Sequence, residues 1–494
     1  MKSMNQDVTT DCPQVRTLHK YRDTTECLCV HDACGDSPEK GILSSYVALG
    51  WPVLAFALVI GLTGCASVSE KALHNAYSET AHNTYETTGG GELLDANSGL
   101  DDYLKQALVH SPLLRSAFER WEAAMERIPQ ARSLEDPSLS FEYFTEQRNL
   151  RYQAGLAQMF PAFGKVGLRD TRAVAEADAA MHEFEEKRFM LHDRVVRAFY
   201  EYHYLHRATE VTDENLRLLA GVENVLATRY KTGLAAFAEL IKVQLEKDRL
   251  ANELTTLQSE RGPRSAELVA LLNIPAREML PWPKATPSGK SVIDEAVLAG
   301  MIGDLNPELK VADATIAAGE IREKLARKSF LPDFTLGANW MVMPGADGRG
   351  NESDVSLMAG ITVPLWWGKH NSEIREAEAM ERAATNDRDD RRNMLKSDLT
   401  MAVFKCRDAE RRTDLLTTSL VPKATQALQV AGQEFSSGQT DFMTLIDAQR
   451  TLLELRLEAE RAMVDREVAI TEIGSLVGKY GAVGGDSSMR VEQK

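Results

Sequence analysis

Three thiols and an imidazole lie close together near the start of the 494-residue chain. The stretch "CLCVHDAC" holds them as Cys27, Cys29, His31 and Cys34. Thiolate and imidazole groups at such short spacings are typical of zinc sites and other metal sites. We reject a metal site here, because the apolar segment that follows predicts that everything before Cys65 is removed from the mature protein.

That segment carries no charged residue from Tyr46 to Ser69 and ends in Leu62-Thr63-Gly64-Cys65. It is typical of a signal peptide, and its end resembles the lipobox of bacterial lipoproteins, in which the cysteine is acylated. The alternative is a single transmembrane helix. We expect residues 1–64 to be a signal peptide with a mis-assigned upstream extension, and residues 65–100 to be a lipid anchor and polar linker. By the lipoprotein sorting pattern, Ala66 directs the protein to the outer membrane of a Gram-negative bacterium.

Other residues that could carry chemistry do not form a catalytic set. The sequence has no complete Gly-x-x-x-x-Gly-Lys-Ser/Thr phosphate loop, no Gly-x-Ser-x-Gly elbow and no His-Glu-x-x-His zinc motif. His203 and His206 form a close helical pair that we interpret as surface or seam residues, and Met341 and Met343 as strand packing. The net charge of −16 argues against nucleic acid as a partner, because phosphate binding needs a concentrated basic face. We therefore predict neither an enzyme nor a cofactor or metal site.

One twelve-residue pattern occurs twice. "GLAAFAELIKVQ" begins at Gly233 and "GQTDFMTLIDAQ" begins at Gly438, with five identities at an offset of 205. Further matches occur at offsets of 195 ("SPLL" and "NPEL") and 204 ("FGK" and "WGK"). Internal repetition of this kind indicates a duplicated architecture. We predict a first repeat at 101–291, a second at 292–478 and a flexible tail at 479–494.

Each repeat contains a predicted β-hairpin. Apolar residues alternate with polar or small ones from Phe334 to Val342 and from Val355 to Val363, and more weakly from Leu139 to Tyr143, before a strand near residues 150–159. A period of two predicts strands with one apolar face. Strands of about ten residues suit a tilted transmembrane strand. Most of the length difference between the repeats lies between Pro332 and Gly368, which predicts an exposed loop there.

Long stretches without proline follow both hairpins, from Ala162 to Gly262 and from Leu365 to Val421. Such lengths predict coiled helices rather than a globular core, and Pro422 should bend or interrupt the second. The spacing of Val243, Leu250, Leu254 and Leu257 is that of a coiled-coil seam. Gly233 and Gly438 are predicted to mark the tips where each helix turns back.

The chain resembles the TolC family of outer-membrane efflux channels. The resemblance lies in the order of its predicted elements, which is helix, β-hairpin, long helix, tip and long helix, repeated twice. The segment from Leu156 to Arg169, "LAQMFPAFGKVGLR", is similar to that of the CzcC-like heavy-metal branch. The resemblance implies a mainly α fold with a β-hairpin per repeat. In the trimer that it implies, a twelve-stranded β-barrel continues into a long α-helical periplasmic barrel. Four strands per chain cannot close a barrel alone, and open edges in lipid are costly, so physics independently requires an oligomer. That the oligomer is a homotrimer is what the resemblance implies.

We therefore expect a passive outer-membrane duct that docks a periplasmic adaptor and an inner-membrane RND-type pump. The rival hypothesis is a periplasmic coiled-coil adaptor without a pore. Two sets of residues are candidate sites under the first hypothesis. The tips that would contact the adaptor are Gly233, Leu234, Gly438 and Gln439. The acids that would ring the pore constriction, by alignment with acidic positions near the tips of family members, are Glu239, Asp441 and Asp447. Ordinary solvated helix acids are the alternative for this last set.

Overall fold

The computed structural model describes residues 68–81, 94–95, 97–145, 151–275, 279–284, 293–344 and 351–480. The candidate lipid anchor Cys65, the cysteine-rich stretch before it and residues 481–494 of the predicted tail lie outside these ranges.

A similar order of elements, short helices, a β-hairpin and then long helices, occurs twice in the described chain. After α1 (Val68–Ala81), the first set consists of α2 (Leu100–His110), α3 (Pro112–Met125), α4 (Arg127–Arg132), β1 (Ser138–Tyr143), β2 (Tyr152–Phe160), α5 (Lys165–Lys231) and α6 (Phe237–Leu272). The second set consists of α7 (Glu295–Leu305), α8 (Pro307–Arg327), β3 (Asp333–Pro344), β4 (Asn351–Thr362), α9 (Trp367–Leu415), α10 (Val421–Ser437) and α11 (Phe442–Val477). The mainly helical fold with one β-hairpin per repeat is confirmed.

The repeated "SPLL" and "NPEL" motifs start equivalent helices. The Ser111 hydroxyl accepts a hydrogen bond from Leu114 N (3.5 Å), and Asn306 Oδ1 accepts one from Leu309 N (3.1 Å). In both motifs proline follows the capping residue, at the first helical position, where its missing N–H costs no helical hydrogen bond. The duplication therefore extends to the local chemistry that begins α3 and α8.

Helix α1 lies within the region predicted to be a polar linker, which corrects that prediction. Tyr77 stacks on Phe118 at 4.7 Å, Leu73 is buried, and Glu70 pairs with Arg132 (2.5 Å). Leu73 and Tyr77 are four residues apart and so share a helix face. That short apolar face is enough to dock α1 on the first repeat.

The four strands form one antiparallel sheet in the order β1-β2-β3-β4, so that β2 and β3 join the two repeats. The predicted apolar residues of β3 and β4 lie on the same face of the sheet, because Phe334 lies opposite Ile361 and Trp340 opposite Val355. Within the chain this face is open to the surroundings: Leu357 is 84% exposed and Leu139 80%. The prediction of strands with one apolar face is confirmed.

The extra residues of the second repeat lengthen its strands, which corrects the expectation of a longer loop. Strands β3 and β4 have 12 residues each, whereas β1 and β2 have 6 and 9. The interval from Pro332 to Gly368 is therefore mostly sheet. The alternation of residue types along this interval was a better guide to its structure than the difference in length between the repeats.

The long helices match their predictions with two differences. Helix α6 continues through Pro263 to Leu272, so this proline does not end it. Before Pro422 the chain stays helical but passes through a π-helical segment, Leu416–Leu420, which separates α9 from α10. The interruption expected near Pro422 thus takes the form of a widened turn. Among the described residues, no helix is both long and apolar enough to cross a lipid bilayer.

Candidate docking tip and pore constriction

Both hairpin tips have the same backbone turn. Gly233 and Gly438 adopt left-handed conformations, with φ of 75° and 77°. The following residues close the helix ends, because Leu234 N donates to Arg229 O (2.8 Å) and Gln439 N donates to Glu434 O (2.8 Å). This pattern is the Schellman motif, which favours glycine at the left-handed position. The prediction that the two glycines mark the turns is confirmed.

Replacing Gly438 with valine is expected to loosen the second tip by about 1–2 kcal/mol, because a β-branched residue resists the left-handed conformation. The matched control is Gly432→Ala within α10, where an added Cβ meets no atom within 4 Å. That substitution is expected to stabilise the same hairpin by about 1 kcal/mol. Hydrogen exchange of α10 amides measures both effects, and shifts in the same direction would contradict the prediction.

The side chains of the two tips, in contrast, have different surroundings. In the second repeat Phe442, Leu445 and Ile446 are buried in a core that includes Leu219 and Leu226 of α5. In the first repeat the counterpart of Phe442, Phe237, is 56% exposed, whereas Leu240 packs partly buried against the same core. Leu234, at the turn itself, is 75% exposed. Identical residues of the two repeats are therefore packed differently: Phe442 of α11 is buried, whereas Phe237 of α6 is exposed. Gln439 is exposed, as expected of a tip residue.

Polar contacts tie the second hairpin to the first. The buried Gln449 amide donates to Asn215 Oδ1 of α5 (2.8 Å), whereas its repeat counterpart Gln244 donates to Glu223 within the first hairpin (3.0 Å). Lower on the tips, the Arg450 guanidinium meets the Glu246 carboxylate (2.9 Å). Sequence reasoning missed the two contacts between the hairpins, Gln449 with Asn215 and Arg450 with Glu246, because their partners lie more than 200 positions apart.

Arg229 makes a further contact between the tips that sequence analysis did not single out. Its guanidinium lies over the Phe435 ring at 4.7 Å, and Nη2 donates to Ser436 O (3.0 Å). Cation–π contact and a charge-assisted hydrogen bond act on the same residue. No sequence signal marked Arg229, because a lone arginine before a turn is common.

The three candidate constriction acids are not equivalent. Asp441 caps α11, since its Oδ1 accepts hydrogen bonds from Thr444 N (3.0 Å) and from the Thr444 hydroxyl (2.7 Å). These bonds, together with nearby Lys242, hold the pKa of Asp441 below its usual range. A structural role for Asp441 is therefore already present within one chain.

Glu239 lies in the first turn of α6, and Asp447 is exposed one turn into α11. Within the described residues, no hydrogen bond or ion pair joins any two of Glu239, Asp441 and Asp447. The structure thus brings the three acids to the same end of the hairpins without bringing them into contact.

Acidification is expected to loosen the tips. Hydrogen bonding to Lys247 and Gln244 lowers the pKa of Glu223, and pairing with Arg450 lowers the pKa of Glu246 despite opposing burial. A carboxyl with a lowered folded pKa stabilises the fold above its unfolded pKa, about 4.3, and that stabilisation is lost as pH falls through the folded value. Hydrogen exchange near residues 231–245, corrected for intrinsic rates, should rise as the pH falls from about 5 to about 3.

The matched variant for this pH effect is Glu223→Gln combined with Glu246→Gln. At pH 7 it should reproduce the faster exchange of the acidified parent protein, and it should respond less to further acid. Equal protection at both pH values in the parent protein would show that these pairs do not hold the tips.

The histidine pair lies far from the tips and packs on the segment at 279–284. His206 stacks on Trp282 at 4.7 Å, and His203 Nδ1 lies 3.3 Å from Pro283 O. Burial lowers the pKa of both imidazoles. Across the described part of the chain, no group of three or more His, Cys, Asp or Glu residues is placed to hold a metal ion.

Two duplicated helical hairpins joined to one antiparallel sheet are the main features of the described structure. Residues 300–479, essentially the second repeat, match the family described as "Outer membrane efflux protein". The solved structure of the outer membrane protein VceC from Vibrio cholerae is similar at 20% identity and a TM-score of 0.65, covering 77% of this chain and 96% of that one. The chain therefore has the TolC-family fold and an outer membrane efflux protein domain, which confirms the resemblance.

Two curated relatives have names that indicate transport. The pyoverdine export outer membrane protein OpmQ of Pseudomonas putida is 20% identical over 69% of this chain and 72% of its own length. The toxin and drug export protein A of Aggregatibacter actinomycetemcomitans is 26% identical over 43% of this chain and 48% of its own length. The chain thus spans about half the length of some of the curated relatives it matches.

Proposed function

We propose that three copies of this chain form a passive export duct in the outer membrane of a Gram-negative bacterium. One observation carries the proposal: an antiparallel sheet with an exposed apolar face and two open edges is continuous with helical hairpins that extend far from it. In lipid, such a sheet must satisfy its edge backbone groups by closing with other strands. Three copies supply twelve strands, and their hairpins supply a helical tube.

The rival hypothesis, a periplasmic adaptor without a pore, does not account for the apolar face of the sheet. An adaptor works in water, where residues such as Leu357 and Leu139 would be costly to expose together. Reconstitution in planar bilayers separates the two functions. A duct gives stepwise conductance from purified trimers, whereas an adaptor gives none.

Docking to a periplasmic adaptor, and through it to an inner-membrane RND-type pump, is assigned to the two tips. Gly233 and Gly438 shape them, and Leu234 and Gln439 are the exposed side chains beside the turns. Photo-crosslinking from Leu234 and Gln439 in intact cells should capture an adaptor. Capture from both positions supports the role, and a crosslinker that finds no protein at either tip contradicts it.

Anchoring is assigned to an acylated Cys65, for which the motif at residues 62–65 is the support. Mass spectrometry of the mature N-terminus should detect a lipidated cysteine, and a chain that retains residues 46–64 would contradict the assignment.

The proposed cargo includes heavy-metal cations, and the support is the similarity of residues 156–169 to the CzcC-like segment. The names of the two relatives point instead to pyoverdine, toxin and drug export. Efflux assays in a strain lacking this chain, with metal salts compared with organic compounds, distinguish these cargo classes.

A further inference from the structure

The sheet of one chain ends in two open edges. Among the described residues, β1 pairs only with β2, and β4 pairs only with β3. Because all four strands alternate in direction, β4 of one copy runs antiparallel to β1 of a neighbouring copy in a closed ring. A neighbouring copy in the proposed trimer can therefore pair with each edge in the antiparallel sense.

We propose, resting on the trimer proposed above, that β4 of one subunit pairs with β1 of the next in a single register. In this register Ile361 lies opposite Phe141 of the partner subunit, and Thr362 lies opposite Ser140 of the partner subunit. The duplicated sequence and the alternation of faces lead to the same pairing.

The duplication supplies the first argument, because β2 and β3 already form the equivalent contact inside the chain. There Phe160 lies opposite Phe334, and Gln158 lies opposite Leu336. The prolines beside the hairpins give the offsets between equivalent strands. Pro137 before β1 and Pro332 before β3 are 195 residues apart, and Pro161 after β2 and Pro364 after β4 are 203 residues apart. Moving the observed contact by these offsets places Val363 opposite Leu139, and Ile361 opposite Phe141, of the partner subunit.

The faces of the strands supply the second argument. Directly opposite residues lie on the same face of a sheet, and a slip of one residue exchanges the faces. An offset of 204, taken from the later Gly-Lys matches, would place Thr362 opposite Phe141 of the partner subunit. That pairing would set a polar-face residue against an apolar-face residue. The register from the prolines keeps Ile361 and Val363 on the apolar band.

Backbone hydrogen bonding supplies a third argument. Phe144 N donates to Arg151 O (3.0 Å), so even-numbered residues of β1 direct their backbone groups towards β2. Alternation then leaves the groups of residues 139, 141 and 143 at the open edge. The same alternation can be followed from β1 through β2 and β3 to β4 with the observed registers. It leaves the backbone groups of residues 359, 361 and 363 at the open edge of β4. The two edges thus offer matching donors and acceptors in the proposed register.

Disulfide crosslinking of the assembled protein tests the register. In the proposed arrangement Thr362 and Ser140 of the partner subunit form a non-hydrogen-bonded pair, with Cα atoms about 4.5 Å apart, within disulfide range. Thr362→Cys is combined with Ser140→Cys, or with Ser138→Cys or Glu142→Cys as matched controls on the same face. The controls test a slip of two residues, where the diagonal separation is about 7–8 Å.

The expected result is a covalent trimer in non-reducing electrophoresis for the Ser140→Cys combination, with about tenfold less for both controls. Cys406 contributes little background, because burial raises the pKa of its thiol to about 11. Stronger crosslinking at either control overturns the register. An intact trimer by native mass measurement with no crosslink at Ser140→Cys also overturns it, while the proposed duct stands. Single chains in every variant and in the parent protein contradict the duct itself.

Discussion

Phe442→Ala is expected to destabilise the second hairpin tip by about 3–5 kcal/mol, the usual cost of removing a fully buried phenylalanine. Only 2% of the Phe442 side chain is exposed, and its ring lies 6.3 Å from that of Phe435 within the tip core. Truncation leaves a cavity between α5, α10 and α11 that the surrounding leucines fill incompletely. The second hairpin is then less firmly held on the first.

The matched control is the same substitution at the repeat counterpart, Phe237→Ala. Its side chain is 56% exposed, and its ring centroid lies 5.4 Å from that of Tyr230. The expected cost is below about 1 kcal/mol, as for other substitutions outside a packed core. Opening free energies of tip amides, measured by hydrogen exchange in detergent-solubilised protein, compare the two. Equal losses would mean that the two copies of the motif are packed alike.

The contrast between Phe442 and Phe237 shows how far the sequence alone could predict this protein. Identical residues at an offset of 205 predicted two similar hairpins, and the turns at Gly233 and Gly438 have the same left-handed backbone conformation. Which copy of the phenylalanine is buried depends on the helix α5 against which α11 packs. That contact joins positions more than 200 residues apart, and no local pattern specifies it.

The sheet was more predictable than the tips. Alternation along β3 and β4 reflects a surface with one apolar face, so residue types alone indicated both strands and their orientation. The weak first hairpin and the lengths of the strands were less certain, because local turn residues such as those near Pro344 compete with the pattern. The π-helical segment before Pro422 is a further case, since proline predicts a disturbance but not its form.

The candidate constriction was only partly predictable. Acidic residues near two tips suggested rings of charge, but the sequence could not separate a capping acid from a free one. The structure makes this distinction, since Asp441 binds Thr444 while Asp447 is exposed. This difference determines which substitutions test pore charge and which also disturb the fold.

Removing Glu239 and Asp447 together is expected to reduce the preference of the open duct for cations severalfold. In a threefold assembly each acid becomes a ring of three like charges, which attracts cations and repels anions across a narrow opening. The double variant Glu239→Ala with Asp447→Ala removes six charges per trimer while leaving the cap of α11 in place. Reversal potentials in planar bilayers under a salt gradient measure the change.

Asp441→Asn is the matched control, because asparagine caps a helix as well as aspartate does, while Asp441→Ala would lose about 1 kcal/mol of capping. If all three acids line the pore, Asp441→Asn also lowers cation preference without loosening the tip. If Asp441 serves only α11, the reversal potential stays at its parent value. Unchanged selectivity in the Glu239 and Asp447 double variant, in a trimer that still conducts, would place these carboxylates on ordinary solvated helix surfaces outside the pore.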